Sequence, residues 1–253
     1  FKLYLPTNIR ESTLDTNLGS RVESLGGEHE LLVGISYDNT HFSSGMSDIE
    51  LIGELDLANP GYGISYGATP ETMLSQTNRY ETKALYVQDQ ATYGRFHLLG
   101  SLRLTQLDIN QQEQGLDTSY HRMTPRFGIT YDLTESLALY AAYSTGFRGA
   151  FNFTGNETPK PELSRNYEAG VKLAFNDLGI SGTLAMFEQT RRNVSTPDPD
   201  PTYAILGYSV QSGEQRARGV EADLVWEPTP AFSLLGNYAY TQAEITEDNS
   251  IPV

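Results

Sequence analysis

Apolar and polar residues alternate one by one along much of the chain, the period of a strand with one apolar face. From 121 to 132 one face reads Met123, Pro125, Phe127, Ile129 and Tyr131, and the other Arg122, Thr124, Arg126, Gly128, Thr130 and Asp132. From 166 to 175, Tyr167, Ala169, Val171, Leu173 and Phe175 oppose Asn166, Glu168, Gly170, Lys172 and Ala174. Val220, Ala222, Leu224 and Trp226 oppose Gly219, Glu221, Asp223 and Glu227, with Val225 out of pattern. His29, Leu31, Val33, Ile35, Tyr37 and Phe96, Leu98, Gly100, Leu102, Leu104 form further apolar rows. The pattern predicts about ten strands, at 10–23, 29–41, 79–92, 96–110, 120–132, 136–147, 165–175, 180–194, 213–227 and 232–246. Most exceed the roughly 5–6 residues of strands in globular sheets. They suit the roughly 9–11 tilted residues that cross a bilayer.

Connections alternate in length. Short turns at 25–28, 93–95, 133–135, 176–179 and 228–231 are interleaved with long segments at about 42–78, 111–119, 148–164 and 195–212. All turns then fall on one side of the sheet and all loops on the other, the asymmetry of outer-membrane barrels. Tyr93, Phe96, Tyr131, Phe175, Trp226 and Phe232 lie near the short turns, and Tyr120, Phe147, Tyr167 and Tyr240 near the loop ends. Two such belts suit the two membrane boundaries, where rings with a polar tip are favoured. The expected fold is an all-β antiparallel transmembrane β-barrel. In it Phe127, Ile129, Leu173 and Trp226 are exposed on the outside. Both termini fall on the long-loop side, so residues 1–253 read as an interior part of a larger barrel domain.

Composition narrows the class. The 253 residues hold 17 Lys and Arg against 32 Asp and Glu, a net charge of -15. That argues against nucleic acid, which is bound mainly through Lys and Arg. There is no cysteine, hence no disulfide framework or thiol nucleophile. A mean hydropathy of -0.40 resembles a soluble protein but fits a barrel equally, because barrel strands are apolar on one face only. His29, His41, His97 and His121 are scattered, with no HExxH, no GxSxG and no obvious carboxylate partner. No enzymatic chemistry and no metal site of the protein's own are expected.

Several stretches carry a resemblance. They are LDLANPGYG at 55–63, YVQDQ at 86–90, TPRFGITYDLTESLALYAAYSTGFR at 124–148 and PELSRNYEAGVK at 161–172. RRNV at 191–194, TPDP at 196–199, GEQRARGVEADL at 213–224 and NYAYTQAEIT at 237–246 complete the series. In this order and spacing the chain resembles the barrel of TonB-dependent outer-membrane receptors, the ferric-siderophore receptors among them. The resemblance implies a barrel of about 22 strands closed by an N-terminal plug, a domain absent from this sequence. It also implies outer-membrane lipid around the barrel and ferric siderophores captured by external loops. Energy comes from the TonB complex acting through the plug. No cofactor is implied, since the siderophore carries the iron. Inward charges such as Glu168 and Lys172 would face the lumen and plug, or form a solvated pair. Arg216 and Arg218 are expected to share inward rows with Glu221 and Asp223.

Candidate ligand residues lie on the long-loop side. They are Tyr62 and Tyr66 in loop 42–78, Arg148, Phe151 and Phe153 at the start of loop 148–164, and Tyr203 and Tyr208 in loop 195–212. Aromatic rings and a guanidinium suit an anionic or aromatic chelate. Packing of the loops against themselves is the competing role. A barrel enzyme of protease or lipase type and a passive porin are the alternative functions.

Overall fold

In a computed structural model, residues 2–50, 58, 67–113, 115–149, 159–205 and 208–248 are described. Among these residues ten strands form one sheet in chain order. They are β1 (Thr7–Ser24), β2 (Gly27–Ser47), β3 (Thr72–Tyr93), β4 (Phe96–Gln111), β5 (Leu116–Asp132), β6 (Leu137–Arg148), β7 (Glu162–Phe175), β8 (Ile180–Pro197), β9 (Ser209–Thr229) and β10 (Phe232–Glu247). One helical turn, α1 (Pro201–Ala204), lies between β8 and β9. All ten expected strands are present. Their short-turn ends agree with the pattern within a few residues, but their loop ends run further, β2 to Ser47 and β3 back to Thr72. Beyond the apolar band most positions on both faces are polar, so regular alternation stops before the hydrogen-bonded ladder does.

The chain divides into two compact units. The first comprises Phe1–Leu14, Ser36–Lys83 and Leu107–Ser119, the loop ends of the first five strands. Its buried residues are mixed, Leu107 and Ile109 beside Ser47, Asn78, Gln111 and Thr118. Polar ties fasten it: the Thr77 amide donates to Glu113 at 2.5 Å, and Arg79 donates to Asn39 at 3.0 Å and to Glu81 at 3.0 Å.

The second unit comprises Asp15–Ile35, Ala84–Gln106 and Tyr120–Val253. From β5 to β10 its described pairings are antiparallel hairpins. Directly paired residues share a face, so the register sorts the side chains. One face carries Phe127, Ile129, Leu139, Tyr167, Leu184, Met186, Val220, Leu224 and Trp226, all exposed. Leu173 shares that face but is half-buried between its neighbours. An exposed apolar surface this wide is not stable in water, and among the described residues no second sheet covers it. It is the apolar outer face of a barrel wall. Ala141 and Ala169 make it shallow in the middle, leaving a hollow of about 660 Å³ between Phe127, Tyr143, Tyr167 and Met186.

Aromatic pairs mark the short-turn boundary of this face: Phe96 with Tyr131, centroids 4.7 Å apart, and Trp226 with Phe232 at 6.1 Å. At the other boundary the apolar row of β9 ends at Val220, opposite Tyr240. Arg218, Arg216 and Glu214 continue the same row, because the β8–β9 register holds without a shift from Trp226 to Glu214. Arg216 and Arg218 therefore face outward, above the lipid band, and only Glu221 and Asp223 face inward. The sequence reading placed all four inward by assuming a parity change near Gly219, and the ladder has none. Arg216 donates to Glu244 at 2.6 Å and Arg192 to Glu214 at 2.6 Å, an ionic band where the wall leaves hydrocarbon.

The turn Asn176–Gly179 closes with Gly179 at φ 63°. A Cβ there would collide with the Glu227 carbonyl oxygen, so only glycine lets this turn tuck against the end of β9.

Candidate functional site

β6 ends at Arg148 and β7 starts at Glu162, and these two residues pair across the ladder. Both belong to the polar face, with Ser144, Gly146, Ser164 and Asn166 below them. Arg148 Nη2 donates to Glu162 Oε1 at 2.8 Å, and from β8 Arg191 Nη2 donates to Glu162 Oε2 at 2.6 Å. The shared carboxylate is 13% exposed, against 60% and 40% for the two arginine side chains. Two guanidiniums on one carboxylate leave a net positive site in an acidic chain.

The backbone leading into Glu162 is clamped by side chains from three other strands. Tyr120 Oη, on β5, donates to the Pro159 carbonyl at 3.0 Å. The Gln211 amide, on β9, accepts from the Lys160 N–H at 2.5 Å and donates to the Lys160 carbonyl at 2.6 Å. Asn193 Nδ2, on β8, donates to the Pro161 carbonyl at 2.8 Å. Pro159 and Pro161 are buried. Asn193 sits at φ 57° where the β8–β9 register shifts between Arg192 and Val194. Asparagine tolerates that left-handed conformation better than most residues, and the bulge turns its amide toward the proline carbonyl. The base of loop 148–164 is therefore fixed to the wall rather than left to swing.

Glu162 lies beyond Arg165, the charged residue that follows Tyr167 on the outward row of β7, and so outside the membrane-crossing stretch. Burial alone would raise its carboxyl pKa, but the hydrogen bonds and charges of Arg191 and Arg148 hold it below the ordinary value. A carboxylate with a depressed folded pKa contributes stability above its unfolded pKa, near 4.3, and loses it as pH falls through the folded value. The triad is expected to stay intact at pH 5 and to open only below the ordinary glutamate range. In a pH series of urea unfolding in lipid, Glu162→Gln should flatten the loss of stability below about pH 4.3. An unchanged acid limb would show that the triad does not set it.

Tyr203 and Tyr208 pack against each other, ring centroids 5.5 Å apart and tilted by 55°. Asp200 caps α1 by accepting from the Thr202 N–H at 2.8 Å, and the Tyr208 N–H returns to the Tyr203 carbonyl at 3.1 Å. This loop tip folds on itself, which favours the packing role for its tyrosine pair. Among the described residues no contact joins the pair to Arg148. Tyr62, Tyr66, Phe151 and Phe153 lie outside the described residues.

Deeper on the polar face, Tyr140 Oη donates to Glu168 at 2.6 Å and the Lys172 ammonium lies 5.3 Å from the Tyr140 ring centroid. Glu168 and Lys172 thus meet through one tyrosine rather than as a solvated pair. Two histidines have carboxylate partners that the sequence did not reveal. His29 Nδ1 is 2.8 Å from Asp89 and its Nε2 3.0 Å from Tyr93 Oη. His97 Nε2 is 2.8 Å from Asp132. Both pairs sit beside short turns and tie neighbouring strands, β2 to β3 and β4 to β5. Among the described residues no group of three metal-type side chains converges.

A sequence-family model described as TonB dependent receptor-like, beta-barrel matches residues 3–252. The metal-pseudopaline receptor of Pseudomonas aeruginosa is 31% identical over 245 residues, covering 88% of this chain and 33% of the receptor. The ferrichrome outer membrane transporter/phage receptor of Escherichia coli K12 is 26% identical over 257 residues, covering 96% of this chain and 33% of that protein. The chain thus spans about a third of the length of the curated relatives it matches. In fold it superposes on the ferric preacinetobactin receptor of Acinetobacter baumannii with a TM-score of 0.81 at 21% identity, over 97% of this chain and 37% of that one.

Proposed function

The chain belongs to the TonB dependent receptor-like β-barrel family, and from that premise we propose that it forms part of the wall of a receptor that takes up metal-loaded siderophores. The barrel lies in the outer membrane, as its relatives' barrels do. External loops capture the chelate, and energy delivered by the TonB complex through a plug drives its passage inward. Iron is cargo in this scheme, and the siderophore supplies its ligands. Lipid surrounds the exposed apolar face. The observation that carries the reading is the family match over 3–252, joined to relatives named as receptors or transporters of such chelates. The clamped, positively charged base of loop 148–164 is the local feature that suits capture. Histidine–carboxylate pairs exist, but they tie strands beside short turns, which gives no support to an enzyme of protease or lipase type.

The test uses the intact receptor gene in its own host under iron limitation. Deletion is expected to abolish uptake of radiolabelled iron from at least one siderophore, and restoring the gene to bring it back only when TonB is present. Uptake from every siderophore tried that is indifferent to both deletions would defeat the reading.

A further inference from the structure

Resting on the siderophore reading, we propose that Arg148 and Arg191 are a two-pronged anion clamp that makes the intact receptor prefer negatively charged metal chelates over neutral ones. Arg148 was a candidate from its position at the end of a strand and its positive charge. Arg191 enters only through the geometry, as the second guanidinium on Glu162. The two arginines come from β6 and β8, on either side of β7. Their Nη2 atoms converge on the two oxygens of one carboxylate, so both guanidiniums lie within reach of a single chelate.

Each guanidinium has five N–H donors. Among the described residues each uses one nitrogen on Glu162 and meets no other partner. Glu162 is the anchor: half-shielded beneath the arginines, it fixes their directions while cancelling only one of two positive charges. Directly below, Ser144, Gly146, Ser164, Asn166 and Gln189 are neutral, and the next charges on that face are Arg126, paired with Ser144, and Glu168, one row deeper. Gly146 lies so close to Ser164 that a Cβ there would be 2.8 Å from its hydroxyl, which keeps the floor beneath the clamp shallow. Tyr120, Asn193 and Gln211 hold the adjoining backbone, so the prongs start from a rigid base. Charge-assisted hydrogen bonds from a preorganised guanidinium are the strong kind.

The experiment uses the full-length receptor, purified in detergent, and two probes: an anionic ferric tris-catecholate and a neutral ferric trihydroxamate. Affinity is read by tyrosine and tryptophan fluorescence quenching. The Arg148→Gln/Arg191→Gln double variant is expected to bind the anionic probe about tenfold more weakly or worse, and the neutral probe within about twofold of the parent. Binding of the anionic probe by the parent should weaken as salt rises, and that dependence should shrink in the double variant. Glu162→Gln gives the opposite sign, keeping or raising affinity for the anionic probe because the site gains net positive charge. A purely structural triad predicts instead that all three substitutions lower folded protein and weaken both probes alike. That result would overturn the clamp. A parent receptor that prefers the neutral probe overturns the clamp and leaves siderophore uptake standing. A parent that binds neither probe, nor any other ferric siderophore, overturns both.

Discussion

Phe127→Arg is expected to cost the barrel about 2–4 kcal/mol of stability in lipid, while Thr130→Arg, on the opposite face of the same strand, should be nearly neutral. Phe127 is 57% exposed on the apolar face. It stands four residues from Tyr131, which pairs with Phe96 at the short-turn boundary. With about 3.4 Å per residue and a tilt near 40°, that puts Phe127 roughly 10 Å from the boundary, close to the middle of an apolar band about 25 Å tall. A guanidinium there has no lipid partner and no water. Met123→Arg, near the loop end of the same row, should cost only about 0–1 kcal/mol, since the penalty falls with depth. Urea unfolding in lipid vesicles, with folded fraction read by gel mobility of unheated samples, measures all three. Equal costs at Phe127 and Met123 would contradict the depth order and the membrane face with it.

The strands were legible because the bilayer imposes a two-residue period on each of them, and because turns and loops differ so much in length. Outside the apolar band the same logic fails: beyond Tyr37 in β2 and before Arg79 in β3 most positions are polar and the few apolar ones, such as Phe42, Met46 and Met73, set no two-residue period, so nothing in the pattern marked ladders that continue to Ser47 and from Thr72. Arg216 and Arg218 were misplaced for a related reason. Arginine next to an apolar row reads as inward, yet above the hydrocarbon an outward arginine is well solvated and finds Glu244 across the ladder. Of the site, Arg148 was legible from its position at the end of a strand. Arg191, Asn193 and Gln211 were not, because their partners lie in other strands. The one local signal was the asparagine in RRNV, a residue suited to a left-handed bulge within an otherwise regular strand. Gly170, in the stretch EAGVK, was read only as one position of a polar row and as part of a resemblance, although its reason is steric.

That reason gives the second large effect. Gly170→Val is expected to destabilise the wall by about 3 kcal/mol or more, combining overpacking of about 1–3 with the loss of a hydrogen bond to a charged group of about 1.5–3. Gly170 pairs directly with Tyr140, and the Tyr140 ring lies over it, since a Cβ there would come within 2.7 Å of the ring and would also strike the Leu184 carbonyl oxygen. The empty space above the glycine is what allows Tyr140 to lie flat, donate to Glu168 at 2.6 Å and pass beneath the Lys172 ammonium. Valine would lift the ring and break both contacts at once. Tyr140→Phe, which keeps the ring and removes only the hydroxyl, should cost less, about 1.5–3 kcal/mol. In a Tyr140→Ala background the ring is gone, so Gly170→Val should be milder by about 1 kcal/mol or more. The cost that remains there measures the collision with the Leu184 carbonyl. If the two substitutions prove additive, the ring is not what requires glycine at 170, and the strand backbone of β8 alone sets that residue.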